Sequence, residues 1–95
     1  GFVKAFGRAG RKLLLSGTGS GLVVGARLRV TGESISGTEF FPLSAKGTSK
    51  WVVGRKVRST PGGRTVDELI PVGGTVTLVV ENPDGVQSMP YDLTR

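Results

Sequence analysis

The sequence predicts an all-β fold of short antiparallel strands, and three observations carry that prediction. Glycine supplies 16 of the 95 residues and is spread along the chain, so tight turns recur throughout. In the clearest segments apolar and polar residues alternate with period two, the pattern of a strand with one buried face. The stretches between glycines and prolines are mostly about five to eight residues long, the length of strands rather than helices.

Taken along the chain, Phe2 to Phe6 reads as an edge strand. Lys12-Leu13-Leu14-Leu15-Ser16 is an apolar run, and Ala26, Leu28 and Val30 alternate with Arg27, Arg29 and Thr31. These two segments are expected to pair, with both arginines on the solvent side and the glycine-rich stretch Gly17 to Gly25 as a long connection. Glu39-Phe40-Phe41-Pro42-Leu43 reads as a strand confined to an edge or an end, because Pro42 has no N–H to give a ladder. Lys50-Trp51-Val52-Val53 is a further strand, with Trp51 expected in the core and Arg55 to Arg58 continuing it past a kink at Gly54. Pro61-Gly62-Gly63 is a turn. Thr65 and Glu68 have capping-box spacing, but β-branched residues and the early Pro71 favour an extended segment there.

The strongest element is the last. Val76, Leu78 and Val80 share one face of Thr75–Val80, and Asn82-Pro83-Asp84-Gly85 supplies a type I turn. Met89, Tyr91 and Leu93 alternate on the return. Val86 is out of phase with them, which calls for a bulge beside the turn. The whole chain, residues 1–95, reads as a single domain, an antiparallel β-sandwich of about seven strands.

Composition narrows the chemistry. The chain has no cysteine and no histidine, so thiolate metal sites, disulfides and the commonest general base are excluded. No apolar run approaches the roughly 20 residues that span a bilayer, and no membrane insertion is expected. The net charge is +6. Residues 1–32 carry six cations and no carboxylate, whereas the last third holds Asp67, Glu68, Glu81, Asp84 and Asp92 against Arg95. Such polarity either pairs within the fold or presents opposite faces to neighbours.

At Lys12 to Gly17 and Val24 to Gly32, the chain resembles the opening of an IPT/TIG-type immunoglobulin-like domain. Ile70-Pro71 and Gly74 to Ser88, with their threonine/valine strand and Asn-Pro-Asp-Gly turn, are similar to that family's closing stretch. The resemblance covers residues 12–32 and 70–93, departs at Val24-Gly25 where a proline often precedes the glycine, and carries little through 35–64. It implies an immunoglobulin-like sandwich. It also implies a non-catalytic structural or protein-interaction module of an extracellular or cell-surface assembly.

The chemical motifs are few. Gly17-Thr18-Gly19-Ser20-Gly21 lacks the Gly-Lys-Ser/Thr ending and the helix of a phosphate loop. Glu81 and Asp84 alone do not supply the several converging oxygens that calcium takes. Serines and threonines have no histidine beside them, and no lysine sits in an apolar run that would depress its pKa. The chain is therefore expected not to be an enzyme, with no cofactor, no metal and no small-molecule substrate. A protein partner or further copies of the chain are expected. The candidate interaction patch is Arg27, Arg29, Lys50, Arg55, Lys56, Arg58 and Arg64. The cationic stretch Arg55-Lys56-Val57-Arg58, with Lys46, Lys50, Trp51 and Arg64 nearby in sequence, gives the alternative of a basic nucleic-acid-binding domain. A carbohydrate-binding accessory domain would use Phe40, Phe41, Trp51 and Tyr91.

Overall fold

Closely spaced turns and period-two alternation produce eight strands and one helical turn among the described residues. The computed structural model describes residues 7–9, 12–18, 22–46 and 50–95, and of 7–9, 12–14, 45 and 46 the backbone alone. The strands are β1 (Gly7–Ala9), β2 (Lys12–Thr18), β3 (Arg27–Thr31), β4 (Glu39–Pro42), β5 (Ser44–Lys46), β6 (Lys50–Val53), β7 (Thr75–Glu81) and β8 (Tyr91–Thr94), with α1 at Val66–Leu69 between β6 and β7. The chain is mostly β, as its patterning predicts. The edge strand expected at Phe2 to Phe6 lies outside the described residues.

The strands form two antiparallel sheets, ordered β1-β2-β6-β5 and β4-β3-β7-β8. Alternation decides which side chains meet. In the second sheet Leu28 faces Phe41 on one side and Val80 on the other, Val30 faces Leu78, and Val76 faces Leu93. All are buried, and they join Leu15, Trp51 and Val53 of the first sheet in one apolar cluster. Val66, Leu69 and Ile70, in and just after α1, complete it. Each fully buried aliphatic side chain contributes about 1.5–3 kcal/mol, so this shared cluster is the principal stabilising element.

The two early strands do not pair with each other. β2 bonds to β1 and β6, while β3 bonds to β4 and β7. The glycine-rich connection therefore carries the chain from one sheet to the other rather than closing a hairpin. β2 also runs further than expected, through Gly17 and Thr18. The chain changes sheets again at Leu43, the single residue between β4 and β5. Pro42 ends β4, which is an edge strand, as its missing N–H requires.

The closing hairpin follows its sequence signals. Gly85 has φ +91°, its N–H donates to Asn82 O at 3.0 Å, and Asp84 Oδ1 accepts from Val86 N at 3.0 Å. The bulge is present: Leu78 faces Tyr91 but Glu81 faces Gln87, so three steps along β7 match four on the return. Met89 is a correction. The extra residue breaks the phase between it and Leu93, leaving Met89 74% exposed while Leu93 is buried.

Two further expectations are overturned between β6 and β7. Arg55 to Arg58 do not continue the strand, because Val57 N donates to Gly54 O at 3.1 Å and closes a turn. Residues 66–69 are helical rather than extended. Glu68 N donates to Thr65 Oγ1 and Thr65 N donates to Glu68 Oε1, a complete capping box that outweighs the β-branched Val66. Arg95 then donates from its guanidinium to the carbonyls of Asp67 and Ile70, satisfying groups at the helix C-terminus.

The two adjacent phenylalanines of β4 point opposite ways, Phe41 into the core at 0% exposure and Phe40 outward and half-buried. Phe41→Ala is expected to cost about 3–5 kcal/mol in urea unfolding and Phe40→Ala about 1 kcal/mol. Equal costs would contradict this assignment of faces.

Candidate functional site

The outer face of the second sheet is built around one carboxylate. Val76, Leu78 and Val80 point inward, so Glu81 points outward, directly across the ladder from Arg27. Arg27 donates to Glu81 Oε2 from Nε at 3.3 Å and Nη2 at 3.2 Å, and Arg29 Nη1 reaches Oε1 at 2.9 Å. Gln87 Nε2 donates to Oε1 at 3.2 Å. The Glu81 side chain is 11% exposed, so this charge is largely withdrawn from water and is compensated by two cations. The Arg27 guanidinium also lies 4.0 Å from the centre of the Phe40 ring. Val79, opposite Arg29, is 4% exposed yet stands apart from the core cluster. The outer face thus shelters an apolar side chain of its own, cover of the kind an arginine stem provides.

Residues 54–64 form a second surface. Arg55 and Lys56 occupy the middle of the Gly54–Val57 turn and are exposed. Phe40 and Thr60 exchange backbone hydrogen bonds at 2.9 Å each, tying the segment to the free edge of β4. Glu39 anchors it from beneath. Glu39 shares the inward parity of Phe41, is 6% exposed, and accepts at Oε1 from Ser59 Oγ at 2.7 Å and Gly62 N at 2.7 Å. A Cβ on Gly62 would lie 2.3 Å from that oxygen, so a larger residue there must displace the Glu39 carboxylate. Arg58 donates to Gly63 O at 2.8 Å and stands 3.7 Å from Glu68. Glu68 is held below the usual carboxylate range, first by the Thr65 N–H, then by the Thr65 hydroxyl, with the charges of Arg58 and Arg64 adding.

A third surface lies where residues 22–25 meet the β7–β8 turn. Asn82 joins them: its N–H donates to Val86 O at 2.9 Å, and its Oδ1 accepts from Val23 N at 3.4 Å. Val23, Val24 and Val86 are exposed here at 48%, 91% and 56%. Val23 and Val24 themselves line a hollow of about 220 Å³ together with Leu22, Ala26, Leu43 and Trp51. A second hollow, of about 370 Å³, is lined by Arg27, Glu81, Asn82 and Pro83 with Gly25 and Gly85.

The seven cations expected to form one patch are therefore distributed over three places. Arg27 and Arg29 are engaged with Glu81 on the outer face of the second sheet. Lys50 opens β6 in the other sheet, separated by the length of that strand, roughly 10 Å, from the turn that follows it. Arg55, Lys56, Arg58 and Arg64 remain together within 54–64. The aromatics a carbohydrate platform would use are spent elsewhere: Trp51 and Phe41 are in the core, Phe40 lies under Arg27, and Tyr91 packs partly buried against the core. Among the described residues no group of three His, Cys, Asp or Glu side chains converges to hold a metal ion, and no helix is long and apolar enough to cross a membrane. Sequence reasoning missed the buried anchor Glu39, although its parity with Phe41 signals an inward side chain. It also missed the exposed valines, which carry no periodic signal.

These features define a class, a mostly β chain of two antiparallel sheets. Nothing narrower comes from comparison: no protein-family model, no curated protein and no solved structure matches the chain.

Removing the shared carboxylate leaves two guanidinium groups side by side. Glu81→Ala is expected to destabilise by about 1–3 kcal/mol in urea unfolding, and added salt recovers part of the loss. An unchanged midpoint would contradict the role given to Glu81. Glu68 predicts a pH dependence. Its folded pKa is depressed, so its contribution is complete above the ordinary glutamate range and is lost as pH falls through the depressed value. The stability difference between wild type and Glu68→Gln should therefore shrink in acid; a difference that grows on acidification contradicts the capping assignment.

Proposed function

We propose that the chain is an immunoglobulin-like β-sandwich serving as a non-catalytic structural and protein-interaction module of a larger extracellular or cell-surface assembly. The single apolar cluster drawn from both sheets supports the sandwich, as do the three points at which the chain changes sheets, from β2 to β3, β4 to β5 and β6 to β7. The IPT/TIG resemblance at 12–32 and 70–93 supports the rest, since its pieces coincide with β2, β3, β7 and the 82–85 turn.

The observation that carries the interaction role is the exposed valine cluster. Val24, 91% exposed, forms part of the wall of a hollow of about 220 Å³ that is otherwise lined mainly by apolar side chains. A protruding valine on the rim of an apolar opening is self-complementary about a two-fold axis, which would seat each Val24 in the hollow of a second copy. The partner proposed is therefore another copy of the chain, joined through apolar contact. This differs from head-to-tail pairing of opposite charges, because Glu81 and Asp67 already engage Arg27, Arg29 and Arg95 within the fold.

The two modes respond to salt with opposite sign. The copies each carry +6 and repel, so screening strengthens apolar association and weakens charge pairing. Sedimentation velocity at low and high salt should show a dimer whose share rises with salt, and Val24→Asp should be monomeric at both. A wild type that stays monomeric throughout, or a dimer untouched by Val24→Asp, contradicts the proposal.

A further inference from the structure

We infer that the segment 54–64 binds the phosphodiester backbone of a nucleic-acid duplex, on a surface separate from the valine end. Four cations, Arg55, Lys56, Arg58 and Arg64, are exposed within eleven residues of chain. Among the described residues no carboxylate lies within ion-pair distance of Arg55, Lys56 or Arg64, and Glu68 stands 3.7 Å from Arg58 alone. Arg27 and Arg29, by contrast, are compensated by Glu81.

The rest of the surface indicates what kind of anion it fits. Protein interfaces are centred on apolar or aromatic anchors, and this segment exposes none beyond Pro61: Val57 is packed against the core. Its other exposed residues are glycine and threonine, which let a backbone approach closely. Stacking of unpaired bases needs an exposed aromatic. Trp51 is 2% exposed and Phe40 lies under Arg27, so the nearby rings are occupied. What remains is charge and hydrogen-bond donors, the contacts that proteins make with phosphates rather than with bases. The anchorage of the segment through Glu39, Ser59, Gly62 and Thr60 holds these cations on the scaffold before binding.

The test is fluorescence anisotropy of a labelled mixed-sequence duplex between 50 and 200 mM salt, using the full chain. Four phosphate contacts at about −0.9 each give a slope of log K against log salt near −3.6. Arg55→Ala with Lys56→Ala, whose side chains bond to no other group among the described residues, should make that slope shallower by about 1.8 while leaving the circular dichroism spectrum unchanged. Lys50→Ala, at the far end of β6, should leave the slope as it is. No binding at 50 mM salt, equal losses in the Lys50 and Arg55/Lys56 variants, or tighter binding of the matching single strand would each overturn the inference. These outcomes are independent of the dimer measurement, which concerns a different surface.

Discussion

Burial of one face of β3, β4, β6, β7 and β8 is the constraint on which the rest of the molecule depends. Side chains alternate along a strand, so placing Leu28, Val30, Leu78 and Val80 in the shared cluster leaves no freedom for their neighbours. Arg27, Arg29 and Glu81 must then face outward, and the pairing of β3 with β7 sets Arg27 opposite Glu81. A one-residue slip of β3 would bury Arg27 and Arg29 and expose Leu28 and Val30, a loss far larger than any single surface contact. The outer ion cluster is thus a consequence of core packing rather than an independent stabiliser.

The same rule explains why two glutamates in similar strands have opposite surroundings. Glu81 is on the outer side of an inward triplet and collects guanidinium groups. Glu39 has the parity of Phe41 and is carried to the inner side, where a hydroxyl and a backbone N–H meet it instead. Burying a carboxylate without hydrogen-bonding partners is costly. Here both bonds come from residues 59–62, so the core position dictates where that segment lies and, with it, the display of Arg58 and Arg64. The two surfaces assigned contact roles both follow from the packing: one is hung on Glu39, the other stands where the chain passes between sheets.

Most of the fold was legible in the sequence wherever period two was unbroken. Ala26 to Thr31 and Thr75 to Val80 read correctly in face and to within one residue in extent, and Asn82 to Gly85 gave the turn and its neighbouring bulge. Failures cluster where a non-periodic interaction decides. The link between β2 and β3 looked like a hairpin loop because adjacency in sequence says nothing about which sheet a strand joins. Met89 was assigned inward because the bulge could be foreseen but not placed. The helical turn at Val66 to Leu69 won through two reciprocal capping bonds that propensity undervalues. The interaction patch was legible as charge alone. Which cations were already paired depended on register across β3 and β7, and the exposed Val23 and Val24 lie in a turn with no pattern to read.

The central claim is that both sheets bury their apolar faces against each other in one core. Nuclear Overhauser contacts test it directly, between side-chain protons of Leu15, Trp51 and Val53 in one sheet and those of Leu28, Val30 and Leu78 in the other. A dense set of such cross-sheet contacts is the predicted result. Contacts confined within each sheet, with none linking the two groups, would contradict it.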